Sequence, residues 1–408
     1  MRILGLGCAG DMGRMAVAIL LEFPSVSSIT IADINIDLAT TFVKMVNSPK
    51  LFAVQIDINQ KDQLLDLISH HDVVINTIGP FYKFELTILK AILEAKKPYL
   101  DICDDWKPTI EALELDDKAK TAGIAAVIGI GASPGITNLM AIYACSKLDE
   151  IDDLITAWGE WISIKQGEKP KYYIKPKELK ENLETKIKVA NAANVHLLYE
   201  TLEKIPTFKN GKMIEIEPLT ETNPFSFPGF KEMYACHIGH PEPVTLPRII
   251  RAKSVSNIMY VGETFTEFIR ECRRNIQDNK MTIQETAISL DKKARELTKR
   301  ALMGRGPLRE YLGGPPNLSV IAIGIKNGKR KKVAVALGHN PYGYMAGLTG
   351  VPLAIATIML IEGKIKKRGV LTPEEAFPDP MEFFNKMAPY CGKNLSGEDI
   401  LIIREVDI

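Results

Sequence analysis

Cysteine is scarce in this chain: six residues (Cys8, Cys103, Cys145, Cys236, Cys272, Cys391) in 408, far apart and with no CxxC pair. A chain of this length has no need of disulfides to hold its core, so the thiols read as reduced and the protein as cytoplasmic. An excess of one charge is also missing. Lys+Arg 51 stand against Asp+Glu 50, a formal net charge of +1, so no global field draws the protein to nucleic acid or an acidic membrane. Long apolar runs are absent too: the longest late one, 351–361, falls well short of the roughly 20 residues a bilayer span needs. At the start, Asp11 and Arg14 interrupt the apolar stretch that a targeting segment must keep uncharged. Gly 29 and Pro 24 are too few for a fibrous or low-complexity chain. The expected partner is a small molecule.

Hydrophobic residues at 46% and charged residues at 25% are ordinary for globular protein, and the length is enough for two or three domains. Residues 2–135 repeat short β-branched runs (RILGLG, SITIAD, LFAVQID, DVVINTIG, KPYLDIC, AAVIGIG) separated by helical stretches such as 12–23, 37–46 and 84–95. Strands alternating with amphipathic helices predict an α/β domain, a doubly wound parallel sheet covered on both faces. Beyond residue 151 the strands lengthen. Asn210-Gly211 and Asn327-Gly328 each sit between extended runs, which predicts type I′ hairpins and an antiparallel sheet. Helices are expected over 176–205, 264–275 and 290–303. The apolar helix after Gly347 ends at Gly363 and a basic stretch, and it is expected to pack back on the first domain. Arg330 to Lys332 read as a solvated edge that discourages strand pairing.

The turn after the first strand, Gly5-Leu-Gly7-Cys-Ala-Gly10-Asp-Met-Gly13, contains GxGxxG. Glycines there let the backbone turn tightly, let a pyrophosphate approach its N–H groups and let the helix close on the strand. Gly7, Gly10 and Gly13 with Asp11 and Met12 of the first helical turn are the candidate phosphate cradle. Asp33, ending the next strand twenty residues after Gly13, stands where a carboxylate accepts from a ribose hydroxyl. Ile34 and Asn35 follow it, with no basic residue for a 2′-phosphate, so NAD is the expected cofactor. NADP is the alternative, since Arg14 or a distant residue can neutralise that phosphate. Asp57 is placed near the adenine, and Asn76, Thr77, Gly79 and Pro80 beside the nicotinamide, because ligands bind at the carboxyl ends of parallel strands.

Segments spanning most of the chain carry a resemblance: LGLGCAGDMG, VVINTIGPFY, PYLDICDD, GIGASPGITNLMA, GHPEPVTLPR, AGLTGVPLAIA and GVLTPEEAF. With them the sequence resembles the saccharopine dehydrogenase-like family, which includes saccharopine reductase, lysine 6-dehydrogenase and carboxynorspermidine dehydrogenase. The resemblance implies a Rossmann domain (1–136), an α+β substrate and dimerisation domain (137–340), and a C-terminal segment (341–408) returning to the Rossmann domain. It also implies a homodimer and hydride transfer at the CH–NH carbon of an amino acid or amino-acid imine adduct.

Hydride transfer needs geometry and a group that takes or gives the amine proton. Asp101 and Asp104, at the end of the fifth strand, are candidates; an ordinary helix cap is the rival role, which Asp105 fits better than Asp101. Tyr82 can donate to substrate or simply pack. Ser133 and Asn138 lead into a helix whose N-terminus can receive a substrate carboxylate or the nicotinamide carboxamide; an N-cap is the rival role for Ser133. His240 is a candidate substrate contact or proton shuttle, and Arg248 a carboxylate clamp. Glu160, between Trp158 and Trp161, can meet a substrate amine, although the two tryptophans equally describe a strand and its core. The stretch from Cys236 through His237 and His240 to Glu242 has metal-like residue types. Histidines three apart on an extended chain face opposite ways, so no metal is expected. The competing function is a non-catalytic NAD-binding sensor or scaffold.

Overall fold

The computed structural model describes residues 1–159, 166–183, 192–302 and 313–408. In chain order its strands are β1 (Arg2–Leu6), β2 (Ser28–Asp33), β3 (Leu51–Gln55), β4 (Val73–Asn76), β5 (Tyr99–Asp101), β6 (Ala125–Val127), β7 (Glu150–Gly159), β8 (Ile205–Lys209), β9 (Lys212–Ile216), β10 (Cys236–His237), β11 (Ala252–Tyr260), β12 (Leu318–Lys326), β13 (Lys329–Leu337), β14 (Gly369–Leu371) and β15 (Leu401–Asp407). The chain forms two compact units. The first takes Met1–Leu139, the described part of Lys165–Ile187, and His339–Ile400; the second takes the described parts of Met140–Ile164 and Lys188–Gly338, and Leu401–Ile408. Continuous blocks at 137–340 and 341–408 are therefore not how the chain divides: 166–183 joins the first unit and β15 the second.

The first unit is α/β. Its sheet runs β14-β6-β5-β4-β1-β2-β3, every pair parallel. β-Branched runs make these strands because both faces are covered: Val73 to Asn76 are all buried, as a parallel sheet requires. Helices Asp11–Leu20, Ile36–Val46, Lys61–Ser69 and Phe81–Ala95 connect the early strands. Leu4, Leu6, Val74, Ile88, Ile92 and Tyr99 share one core. The strand order reverses between β1 and β4, the switch point where such sheets open a crevice. The C-terminal segment returns here as expected, with β14 adding to β6. The helix Met345–Ile361 lies against Asp11–Leu20 so closely that a Cβ on Gly350 would stand 2.4 Å from the Met12 carbonyl oxygen.

The second unit has a mixed sheet, β15-β13-β12-β7-β11-β8-β9, with β10 beside β11. It is antiparallel except for β7 and β11, which pair in parallel over Ala252↔Ile151 to Tyr260↔Gly159; the more than ninety residues between them supply the crossover that parallel strands need. Both Asn-Gly hairpins form, Asn210 and Gly211 at φ 51° and 77°, Asn327 and Gly328 at 49° and 73°, the left-handed pair a type I′ turn demands. Helices Glu263–Gln277 and Ile283–Leu302 pack Ile269, Cys272, Ala287 and Leu290 against Met259 and Val261. Within 176–205 the described helices are Pro176–Glu181 and Ala192–Tyr199. One reading is overturned: Arg330 to Lys332 are not at an edge. β15 pairs along β13, and Lys331 meets Glu405 at 3.1 Å, acidic residues on the added strand offsetting the basic run. Among the described residues no helix is long and apolar enough to cross a membrane.

Gly350→Ala is expected to force the two packed helices apart at a cost of about 1–3 kcal/mol. The check is a lower urea midpoint at unchanged m-value; an unaltered midpoint would refute the close packing.

Candidate active site

In the first unit the loops at the carboxyl ends of β1, β4, β5 and β6 converge on the switch point. Gly7 has φ +68°, and a Cβ there would meet Ile78 Cγ1 at 2.7 Å; one on Gly13 would stand 2.4 Å from Cys8 Cα and 2.9 Å from Thr77 Oγ1. Gly7 thus makes the turn and Gly13 lets helix and strand touch. Gly10 differs: its Cβ position meets only the Gly7 carbonyl oxygen at 3.3 Å. Its open side lies at the N-cap of Asp11–Leu20, where unsatisfied helix N–H groups attract an anion. This is the cradle a dinucleotide pyrophosphate requires, and the residues fit the group.

Asp11 accepts from the Tyr173 hydroxyl at 2.6 Å and from Arg14 Nη2 at 3.1 Å, while Met12 is half-buried in the same turn. Arg14 is only 4% exposed, and its guanidinium donates to the Ala9 and Ile174 carbonyls as well as to Asp11. Asp33 is half-buried at the end of β2 and accepts from the Asn35 amide at 2.9 Å; burial raises its pKa. Asp57 accepts from the amide and side chain of Asn59 just past β3. Thr77 donates to the Leu6 carbonyl, exposed Gly79 and then Pro80 follow through a cis peptide, and Pro80 caps the helix Phe81–Ala95.

Asp101 and Asn76 lie deeper than the sequence suggested, both fully buried. Asp101 Oδ1 accepts from the amides of Cys103 at 2.8 Å and Gly129 at 2.7 Å. Asn76 Oδ1 accepts from the Ile78 amide, and its Nδ2 donates to the Tyr99 hydroxyl at 2.9 Å. Tyr99 in turn donates to Glu85, 3.1 Å away. Burial, then the neighbouring Asp101 charge, pushes Glu85 well above the carboxylate range; burial pushes Asp101 up to about 6 against the bonds it accepts. Both carboxyls of the pair are thus shifted toward the protonated form. No sequence signal flagged it, since it sits among the apolar residues of an amphipathic helix. Half-buried Asp104 stands three residues on, and Asp105 occupies the N-cap of Trp106–Leu113 with its carboxylate on the Tyr82 amide at 2.8 Å; Tyr82 itself is half-buried.

Ser133 opens a tight turn through a cis bond to Pro134. A Cβ on Gly135, φ +120°, would stand 2.1 Å from the Gly131 carbonyl oxygen, so only glycine closes this loop. Asn138, fully buried, accepts from the Gly135 amide at 3.0 Å and donates to Glu374 at 2.8 Å. Glu374 comes from the LTPEEAF segment, 236 residues away, and was not singled out from the sequence.

In the second unit His240 and Glu200 are buried and Glu242 fully so. His240 Nε2 lies 3.5 Å from Glu200 Oε1 and its Nδ1 3.4 Å from Glu242 Oε2. His196 Nε2 is 3.0 Å from the same Glu200 oxygen, and the Trp158 ring leans on His240 with centroids 5.7 Å apart. Burial alone would depress His240; the charges of Glu200 and Glu242 outweigh it and lift the imidazole to about 9. His237 faces elsewhere, into a cavity of about 590 Å³ that Ile155, Phe208, Ile258 and Ile321 also line and that holds none of the other candidate residues. Arg248 is exposed at the end of a 3-10 turn, Leu246–Arg248. Glu160 lies outside the described residues. All six cysteines are buried and unpaired.

The Asp101–Glu85 pair carries a pH signature. Asp101 titrates at about 6 in the fold against 3.8 for an ordinary aspartate, so over that interval the folded state binds more protons than the unfolded chain. Unfolding free energy must then fall as pH rises from about 4 through about 6, and the raised Glu85 extends that fall to higher pH. Asp101→Asn keeps the oxygen that both amides use and is expected to flatten this slope in urea titrations; an unchanged slope would place the effect elsewhere.

Comparison with known proteins agrees with this geometry. The saccharopine dehydrogenase NADP binding domain matches residues 3–127, and the saccharopine dehydrogenase C-terminal domain matches residues 131–392. The chain is 24% identical to carboxyaminopropylagmatine dehydrogenase of Synechocystis sp. and 24% identical to carboxynorspermidine synthase of Vibrio cholerae, each over 93% of both chains. It is 24% identical to the NADP(+), L-glutamate-forming saccharopine dehydrogenase of Schizosaccharomyces pombe, over 86% of this chain and 89% of that one. The apo saccharopine dehydrogenase (L-Glu forming) structure from Saccharomyces cerevisiae covers 100% of this chain and 99% of its own at TM-score 0.63 and 18% identity, a likeness of fold. With both of its domain models matched in order, the chain belongs to the saccharopine dehydrogenase family of NAD(P)-binding oxidoreductases.

Proposed function

We propose that the protein is an NAD-dependent dehydrogenase acting at the CH–NH carbon of an amino acid or amino-acid imine adduct. The observation that carries this reading is the Gly7–Gly10–Gly13 cradle with Asp33 at the end of the neighbouring strand. Gly7 and Gly13 have no room for a side chain, while Gly10 keeps an open side at a helix N-terminus. Gly7, Gly10 and Gly13 with the first-turn amides of Asp11 and Met12 would hold the pyrophosphate, Asp33 the ribose, Asp57 the adenine side, and Thr77, Gly79 and Pro80 the nicotinamide side. NAD is favoured over NADP because a carboxylate at Asp33 repels a 2′-phosphate, and Arg14 directs Nε, Nη1 and Nη2 each to a protein acceptor.

The bound nicotinamide accepts or delivers the hydride. The chain's part is to move a proton and hold the substrate. When the C–H hydride leaves, the C–N bond becomes an iminium, and the amine proton must go to a base beforehand. Asp104 is assigned that proton, with the Tyr82 hydroxyl donating to the substrate. Asp101 and Asn76 are positioning residues, because both are buried and committed to loop amides. His240 is kept out of the proton step, since both ring nitrogens face carboxylates. Arg248 is the clamp for the substrate α-carboxylate, through its planar fork, with Ser133 at the loop leading into the helix Ile136–Cys145. Asn138 holds that loop rather than the substrate.

Two relatives aligned over nearly their full length are named for carboxyalkyl derivatives of amines, so such adducts join saccharopine and lysine as substrates to be tried. The test is nicotinamide absorbance with NAD or NADP against lysine, saccharopine, carboxyalkyl polyamines and α-amino acids, in both directions. Turnover with one of these is expected, with kcat/KM higher for NAD, and Asp104→Asn is expected to cut kcat about 10²- to 10⁴-fold while nucleotide affinity is kept. A higher kcat/KM for NADP would overturn the role of Asp33. Silence across the panel, with NAD still raising the unfolding temperature, would favour the sensor or scaffold reading.

A further inference from the structure

We propose that His196, Glu200 and His240 form a three-ligand site for a divalent transition-metal ion of the zinc class, oriented by Glu242. The site goes beyond the nucleotide reading and does not depend on it. His196 and Glu200 stand one helical turn apart at the end of Ala192–Tyr199, and the Glu200 amide still donates to the His196 carbonyl at 3.0 Å. Residues at this spacing project from one helix face. His240 reaches the same point from the loop before the helix Glu242–Thr245. One ligand atom from each of the three lies within 4.8 Å of the others. Glu200 Oε1 is 3.0 Å from His196 Nε2 and 3.5 Å from His240 Nε2. Donors set about 2.0–2.1 Å from a tetrahedral ion are separated by roughly 3.3 Å, so an ion can enter with small side-chain adjustments.

The surroundings favour the same reading. Glu242 lies 3.4 Å from His240 Nδ1. A carboxylate on the far nitrogen of an imidazole fixes its tautomer, directs the Nε2 lone pair inward and raises its basicity, as around metal-bound histidines generally. Trp158 walls one side of that ring. Two imidazole nitrogens and one carboxylate oxygen suit zinc, cobalt or nickel better than magnesium or calcium, which prefer all-oxygen sets. Three protein ligands leave a position open for water or for a donor atom of a small molecule, the pattern of catalytic rather than structural zinc sites.

The test uses the full-length protein, stripped with a chelator and titrated with Co(II) and Zn(II). One Co(II) per chain is expected, with visible d–d bands of low coordination number that Zn(II) abolishes, and a zinc-edge absorption spectrum showing scattering from two imidazoles. His196→Gln and His240→Gln are expected to remove this binding, Glu242→Gln to weaken it about 10- to 100-fold, and Cys236→Ser to leave it unchanged. If a histidine variant fails to fold, the wild-type spectra still decide. No stoichiometric Co(II) binding, or a zinc edge with fewer than two imidazoles, overturns the site, and so does binding that survives in folded His240→Gln. In those cases His196, Glu200 and His240 are a buried ion-pair network only.

Discussion

The helix Asp11–Leu20 is held between two surfaces that leave no room for a Cβ. Gly13 brings it onto the Cys8 backbone after β1, and Gly350 brings the returning helix Met345–Ile361 onto the Met12 carbonyl. These glycines lie 337 positions apart in the sequence, yet both act on the same first turn and a half. Residues Gly13 to Leu20 are all buried, so the helix has one accessible end, the turn that begins at Gly10. The N–H groups left over at that end are the unsatisfied donors of any helix start. Their clustering beside β1 follows from how tightly the helix is gripped.

Burying carboxyl groups is costly, and the two units meet that cost in different ways. In the first, burial raises both Glu85 and Asp101, and like charge adds to the rise of Glu85. Asp101 is committed to the Cys103 and Gly129 amides, which ties the end of β5 to the loop after β6. In the second, Glu200 and Glu242 lie against the imidazoles of His196 and His240. The first arrangement fixes loops through a buried carboxyl that accepts from two backbone amides. The second gathers nitrogen and oxygen donors around one point, which is the prerequisite for binding a cation.

What the sequence made legible is what neighbouring residues determine. β-Branched runs bounded by turn residues marked β1 to β6, Asn-Gly pairs marked both hairpins, and the glycine spacing marked the cradle, because each reports a local backbone state or a burial period. Partners far along the chain were not legible. The basic run at Arg330 to Lys332 read as an edge because nothing local announces that β15 will cover it. Periodicity cannot say that His196 and Glu200 will meet His240 forty residues on, or that Asn138 will meet Glu374. Nor does it separate Asp101 from Asp104, two aspartates in one short segment. The first is pinned by the Cys103 amide of its own loop and the Gly129 amide of another, and the second stands half-buried beyond the strand.

That separation matters for chemistry more than the identity of either residue. A carboxylate that accepts two backbone N–H bonds and sits beside a second buried carboxyl cannot exchange a proton with a substrate without disturbing both loops it joins. Its neighbour three residues later is half-buried rather than fully so. Strand β5 ends at Asp101, where the side chain turns back to accept from the Cys103 amide of its own loop. The buried aspartate thus fixes the backbone turn from which half-buried Asp104 follows, and one short segment holds both a group committed to backbone amides and the group proposed to take the proton.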